Sequence, residues 1–130
     1  GTSFADSTNE YTLDRWKFRN SSGTPAFTVT QSTESPEGFG NSLKVDCTTA
    51  DTSPSAGQAC RLITKLEGYD LQVLAKGTSG AQASVLSFYV KTNKTGVYTV
   101  MLYDNDNTRI WSGSYTVGDT NWNRYSRFNK

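Results

Sequence analysis

A group of aromatic, sulfur-containing and polar residues between positions 89 and 111 has the composition of a ligand-binding surface. Ring faces offer apolar contact area, and neighbouring Asp, Asn and Arg side chains offer the hydrogen bonds that orient a ligand. The alternative is that the aromatic members are core residues packed against a second sheet, because sandwiches bury both inner faces. The candidate ligand-binding residues are Tyr89, Met101, Tyr103, Asp104, Asn105, Arg109 and Trp111.

The segment Asp104-Asn105-Asp106-Asn107 has the oxygen-rich composition of a calcium loop. It lacks the glycine and the distal glutamate of an EF-hand, and Tyr115 stands at the twelfth position. A tight turn is therefore the better interpretation. Calcium held jointly with a distant carboxylate is the alternative, and no other cofactor is expected.

Catalytic chemistry is restricted because the chain contains no histidine. Ser-His-Asp and Cys-His machinery is excluded, and the commonest zinc ligand is missing. Glycoside hydrolysis would need two carboxyl groups held about 5–10 Å apart across a sugar, and no spacing identifies such a pair. We therefore predict that the protein is not an enzyme. The candidate carboxylates for such a pair are Asp14, Glu34, Glu37, Asp46 and Asp51.

The two cysteines, Cys47 and Cys60, lie near the ends of two candidate strands that a polar loop connects. They would face each other if those strands formed an antiparallel pair, and a disulfide would then close the loop. The alternative is that both are small buried apolar residues.

The elements that would position these residues are strands. Residues 84–104 contain two apolar runs, at 85–90 and 97–103, separated by a polar interruption that ends in Gly96. β-Branched and aromatic residues fill both runs, so we predict two strands joined by a hairpin turn. At period two, one apolar face would consist of Leu86, Phe88 and Val90 together with Tyr98, Val100 and Leu102.

Similar patterns predict further strands along the chain, after an entry arm at residues 1–9 and around a turn at residues 20–25. In the second of these strands Phe27, Val29 and Gln31 share a side, and in the third Leu43, Val45 and Cys47 point inward. Trp16 and Trp122 are expected to help to close the core. The strands are predicted at residues 11–19, 26–32, 42–48, 58–66, 109–117 and 122–128, and a short helix with Asp70 as its N-cap at residues 70–76.

The composition fits one domain of 130 residues with thirteen basic and twelve acidic side chains. This balance provides no field that would attract nucleic acid, and no run is long enough for a membrane span, so neither partner is expected. We expect one domain over residues 1–130, which could be a fragment of a longer chain because its last strand has no closing turn.

Three segments resemble a domain that recurs in tail-fibre and related virion proteins of tailed bacteriophages. They are Gly1-Thr2-Ser3-Phe4 with Tyr11-Thr12-Leu13-Asp14-Arg15-Trp16, then residues 41–51 (NSLKVDCTTAD), then residues 86–91 (LSFYVK) with Asn93-Lys94-Thr95-Gly96. Tyr98 and the Asp104-Asn105-Asp106 turn complete the resemblance.

The resemblance implies an all-β fold: a jelly-roll-like antiparallel β-sandwich with one short helix near residues 70–76. It also implies a virion location, homo-oligomerisation in the particle, and non-catalytic binding of host-surface carbohydrate by rings that stack on sugar faces. One alternative is a structural or decoration domain that contacts other virion proteins. The other is an accessory carbohydrate-binding module of a bacterial glycoside hydrolase.

Overall fold

A computed structural model describes residues 2–4, 9–21 and 25–129, so parts of the expected entry arm and of the turn at residues 20–25 lie outside the description. The fold is all-β, as predicted, and every strand pairing in it is antiparallel. The strands are β1 (Thr2–Phe4), β2 (Asn9–Tyr11), β3 (Trp16–Asn20), β4 (Ala26–Ser32), β5 (Ser42–Thr49), β6 (Cys60–Thr64), β7 (Ser84–Val90), β8 (Gly96–Asp104), β9 (Arg109–Val117) and β10 (Asn123–Asn129).

Tertiary contacts divide the chain into two compact units, Gly1–Glu67 and Gly68–Lys130. The first unit has two three-stranded sheets, in the orders β1-β4-β5 and β2-β3-β6. The second unit has two two-stranded sheets, β7-β10 and β8-β9. One domain over residues 1–130, and its jelly-roll topology, stay predictions.

The core of the first unit forms where its two sheets meet. Phe18 of β3 and Val29 of β4 are buried, and the Phe18 and Phe27 rings lie 5.1 Å apart between centroids. Leu13 and Leu43 pack against the same cluster. The inward prediction for β5 is right for Leu43 and wrong for Val45 and Cys47, which are exposed on this edge strand.

The second unit follows the period-two pattern in all four strands. The predicted apolar faces of β7 and β8 are the half-buried ones, and their neighbours in sequence are exposed. Phe88 of β7 meets Tyr115 of β9 edge-on with centroids 5.1 Å apart, and Tyr115 stacks on Tyr98 of β8. The β7-β10 and β8-β9 sheets therefore pack through their apolar faces, in a sandwich-like arrangement.

The hairpin predicted between β7 and β8 is wrong. β7 pairs with β10, and β8 pairs with β9 over nine residue pairs from Gly96↔Val117 to Asp104↔Arg109. The turn after β8 is closed by Asp104, whose Oδ1 accepts hydrogen bonds from the backbone N–H groups of Asp106 and Asn107. Residues 91–95 instead carry the chain from one sheet to the other, and the Tyr98 hydroxyl donates to the Lys94 carbonyl there.

The helix predicted at residues 70–76 is only a single 3₁₀ turn, Gln72–Leu74. Leu71 rather than Asp70 precedes it, without a side-chain cap, and Ala75 ends it in the left-handed conformation. A segment this short cannot recover the cost of α-helix nucleation, and none of its three residues is buried. The described part of the chain contains no helix with the length and hydropathy of a membrane span.

Candidate functional site

The residues of the predicted ligand-binding group lie on different surfaces of the second unit. Tyr89 points outward from the β7-β10 sheet, where it stands opposite Arg124. Met101 and Tyr103 point outward from the β8-β9 sheet. Because these two sheets pack through their inner faces, their outer faces point away from each other. Tyr89 is therefore not part of one surface with Met101 and Tyr103.

Met101 and Tyr103 do share an exposed face, with 45% and 53% of their surface accessible. Ser112 and Ile110 stand opposite them on β9. Trp111 does not join this face, because it pairs with Leu102 and is half-buried on the inner side, as the alternative core interpretation had it. Its ring lies over Gly113, where an added Cβ would lie 3.0 Å from the ring.

The remaining predicted site residues belong to the turn between β8 and β9. Asn107 donates its side-chain amide to the Asp104 carboxylate at 2.8 Å, and this bond is the main cause of a lowered Asp104 pKa. Desolvation opposes this effect and is the second-largest influence, whereas the two backbone N–H groups and the Arg109 charge lower the pKa further. The carboxylate thus serves the turn. Arg109 pairs with Asp104 in the ladder, and Asn105 lies exposed between them.

A calcium site at this turn stays a prediction. Among the residues that the structure describes, no group of three or more His, Cys, Asp or Glu side chains is arranged to hold a metal ion.

A concave site that the sequence did not predict lies in the first unit. A groove of about 520 Å³ opens at one end of the gap between the β1-β4-β5 and β2-β3-β6 sheets. Its volume falls within the range of about 300–1,000 Å³ that is usual for small-ligand sites. The lining residues are Leu13, Asp14, Trp16, Gln31, Asn41, Ser42 and Leu43.

Strand alternation places the central groove residues. Trp16 is two residues before buried Phe18 on β3, and Gln31 is two residues after buried Val29 on β4, so both extend the inner faces beyond the core. Leu43 pairs with Gln31 across the β4–β5 ladder. Leu13 and Leu43 contact the core cluster, and they form an apolar floor for the groove.

The β2–β3 turn forms the other end of the groove. The Thr12 backbone N–H and hydroxyl both donate to the Trp16 carbonyl, at 2.8 Å and 3.1 Å, and the Trp16 N–H donates to the Leu13 carbonyl. Asp14 occupies the left-handed region with φ 52°, which Asp tolerates better than most residues. Trp16, expected to help to close the core, keeps 36% of its surface exposed. Its indole therefore forms part of the groove wall.

Most polar side chains of the groove have no partner among the residues that the structure describes. The side chains of Asp14, Trp16, Gln31 and Asn41 make no hydrogen bond or ion pair with other described residues, whereas the Ser42 hydroxyl donates to the Glu34 carbonyl. This contrasts with Asp104, whose carboxylate is occupied by its own turn. The groove thus combines a partly exposed indole, an apolar floor, two amides and one carboxylate available to a ligand.

The two cysteines are free thiols on strands that do not pair, because β5 pairs with β4 and β6 with β3. The predicted antiparallel pair is therefore wrong, whereas a disulfide between them stays a prediction. Cys60 stands opposite Asn20, and its thiol lies 3.5 Å from the Asn20 Oδ1. Burial raises the pKa of the Cys60 thiol, and the nearby Cys47 raises it further.

Comparisons with protein-family models, with curated proteins and with solved structures find no match to this chain. The bacteriophage resemblance therefore stays a proposal.

The groove did leave one signal in the sequence: Gln31 is a polar residue on the otherwise apolar face of β4, in line with Phe27 and Val29. The residues that line the groove with Gln31 could not be inferred from local patterning, because Trp16 and Leu43 lie near it only in the folded chain.

Proposed function

We propose that the protein is a non-catalytic, tail-fibre-like domain of a bacteriophage virion that binds host-surface carbohydrate in the Trp16 groove. One observation supports the binding function above all: an accessible indole and unpartnered polar side chains line the same concave site. A pyranose presents an apolar face that stacks on an aromatic ring and a rim of hydroxyls that need hydrogen-bond partners. The virion setting rests on the sequence resemblance.

Binding rather than hydrolysis suits the charge distribution of this site. Asp14 is the single carboxylate among the described groove residues, and glycoside hydrolysis by the usual mechanisms needs two. The groove is also a continuation of strand faces, so its indole platform is held by packed strands. Rigid placement lowers the entropy lost on binding, which matters for a weak, repeated contact such as surface adhesion.

A glycan array followed by titration calorimetry tests the proposal. We expect at least one saccharide to bind, with Trp16→Ala reducing affinity at least about tenfold through loss of the stacking surface. Trp16→Phe keeps a smaller ring, so its affinity should lie between those of the native protein and of Trp16→Ala. Circular dichroism must show that each variant is folded.

Tyr103→Ala is the matched control, because it removes an exposed ring from the β8-β9 sheet and leaves the groove intact. We expect it to bind like the native protein. Loss of binding in Tyr103→Ala with retention in Trp16→Ala would move the site to the predicted face and refute the groove. Absence of binding across a broad array by folded protein would refute carbohydrate recognition itself.

The second candidate function is a structural virion domain that contacts other virion proteins. It is favoured by the outer face of the β8-β9 sheet, where all eight outward positions are uncharged and Val97, Met101, Tyr103 and Ile110 are exposed. An exposed apolar face of this kind often marks a protein contact. Sedimentation analysis of native protein and of Tyr103→Asp would reveal self-association that depends on this face.

A further inference from the structure

The charge in the groove is of one sign only. Asp14 is the one ionisable side chain among its described lining residues, and it is an acid. The nearest basic residues in sequence are directed elsewhere: the Lys17 Nζ lies 4.9 Å from the centre of the Tyr11 ring, and the Lys44 Nζ lies 3.9 Å from the Asp46 carboxylate. Arg15 is exposed and does not line the groove.

This arrangement opposes the binding of an acidic sugar. A carboxylate, sulfate or phosphate on the ligand would approach Asp14 without a basic side chain to neutralise it. Two like charges about 4 Å apart reduce affinity by about fivefold in a water-like environment and by about a thousandfold at an effective dielectric near 20. A groove partly closed by Leu13, Leu43 and Trp16 lies between these limits.

The hydrogen-bonding groups of the groove also favour a neutral sugar. An ionised Asp14 only accepts hydrogen bonds, whereas Gln31 and Asn41 each both donate and accept, and the Trp16 indole N–H donates. Sugar hydroxyls also donate and accept, so they can satisfy all four groups together. An anionic substituent can only accept, so it would find no favourable partner in Asp14.

We propose that the groove selects uncharged pyranosides, namely neutral hexoses and N-acetylhexosamines, over acidic saccharides, and that Asp14 determines this selectivity. The inference rests on the proposed carbohydrate-binding function and adds the class of ligand. Asp14 is suited to this role because it lines the same groove as the Trp16 indole on which the ring of the sugar would stack, and Asp tolerates the left-handed backbone of the turn.

The test compares matched pairs of methyl glycosides that differ only at C6, which carries a neutral hydroxymethyl group in one sugar and a carboxylate in the other. The pairs are methyl glucoside with the methyl glycoside of glucuronic acid, and methyl galactoside with the methyl glycoside of galacturonic acid. Binding is followed at pH 7 and low salt through the Trp16 indole N–H signal in two-dimensional NMR spectra. Trp16→Phe removes one of the three indole signals and so identifies it. We expect at least one neutral sugar to bind at least about tenfold tighter than its acidic counterpart.

Asp14→Asn is the decisive variant, because Asn keeps the shape of the side chain and accepts the left-handed backbone readily. We expect it to bind the neutral sugar about tenfold more weakly, through loss of a charge-assisted hydrogen bond. The gap between neutral and acidic sugars should shrink to within about threefold. Adding 0.5 M salt to the native protein should narrow that gap as well, because the repulsion is screened.

Three outcomes decide between the inferences. An acidic sugar that shifts the Trp16 signal as strongly as its neutral counterpart would overturn the selectivity and leave carbohydrate binding standing. A gap that persists unchanged in Asp14→Asn would overturn the role of Asp14. If no sugar of either kind shifts the Trp16 signal in folded protein at millimolar concentration, the proposed function fails, and the selectivity fails with it.

Discussion

Asn20 is the most informative position for testing the interior of the first unit. Its side chain is 1% exposed, its Nδ2 donates to the Pro25 carbonyl at 2.8 Å, and its Oδ1 faces the Cys60 thiol. Asn20→Asp changes the shape very little, but it replaces the Nδ2 donor by an oxygen that cannot donate when ionised. The substitution therefore buries a carboxylate without a basic partner among its described contacts.

The expected cost follows from proton linkage. Burial raises the pKa of such a carboxyl, so in acid both the folded and the unfolded chains are protonated and no charge penalty arises. Above about pH 4 the unfolded chain ionises while the folded one stays protonated, and folding loses about 1.4 kcal/mol for each pH unit. Over about three pH units this reaches about 4 kcal/mol by pH 7. At pH 3 the protonated carboxyl can donate to the Pro25 carbonyl, and we expect a loss of only about 1 kcal/mol.

The assay is urea unfolding from pH 3 to pH 7, followed through the backbone amide signals of β3 and β4. Asn93→Asp is the matched control, because it introduces the same carboxylate at an exposed loop position and should cost less than about 0.5 kcal/mol at every pH. If Asn20→Asp does not fold at pH 7, the variant is folded at pH 3 and its unfolding is followed as the pH is raised. A loss below about 1 kcal/mol at pH 7, or one independent of pH, would refute the burial and hydrogen bonding described for Asn20.

Four other perturbations test further parts of the structure. Gly113→Ala, whose Cβ would meet the Trp111 ring at 3.0 Å, should cost about 1–2 kcal/mol in thermal unfolding, whereas Gly118→Ala, with no atom within 4 Å of its Cβ, should be near neutral. Burial, and after it the neighbouring Tyr98 and Tyr125, raise the Tyr115 pKa above its usual value. The unfolded chain therefore ionises first, and the free energy of unfolding should fall as the pH rises past about 10. Urea unfolding at pH 9–11 should show a smaller fall for Tyr115→Phe than for the native protein. Oxidised glutathione should join Cys47 to Cys60, with loss of two thiols by mass spectrometry and a gain of about 3 kcal/mol; persistence of both free thiols would refute the disulfide. Gln31→Leu should stabilise the first unit and abolish sugar binding together, as measured by unfolding and titration on the same samples.

Strand faces could be predicted from the sequence because the side-chain period of a strand is a local property. Leu86, Phe88 and Val90 alternate with exposed neighbours as expected, and so do Tyr98, Val100 and Leu102. Strand partners could not be predicted in the same way, because an apolar face can pack against another sheet or continue into a paired strand. The polar segments at 91–95 and 105–108 are both composed of turn-forming residues. Only in the second does an Asp side chain close the turn through two backbone N–H groups.

The error in pairing explains why the residues of the predicted ligand-binding group lie on different surfaces. If β7 and β8 were neighbours in one sheet, Tyr89 would share a face with Met101 and Tyr103. Because the chain crosses to a second sheet instead, the same outward orientation places Tyr89 on the opposite side of the unit. Trp111 is displaced for a different reason: its register partner is Leu102, an inner residue, so alternation directs the indole inward.

The position of the groove follows from how the core of the first unit ends. Phe18 and Val29 fill the space between the sheets, and the next inward positions along the two strands are Trp16 and Gln31. Neither closes the gap, because Gln31 offers a polar amide and Trp16 lies at the start of its strand. Side chains carried by paired strands are held more precisely than those on loops. The platform proposed for a ligand is thus set by the same register that builds the core. Asp14 and Asn41 flank it from connecting segments, so we expect substitutions there to alter the proposed ligand selectivity without disturbing the fold.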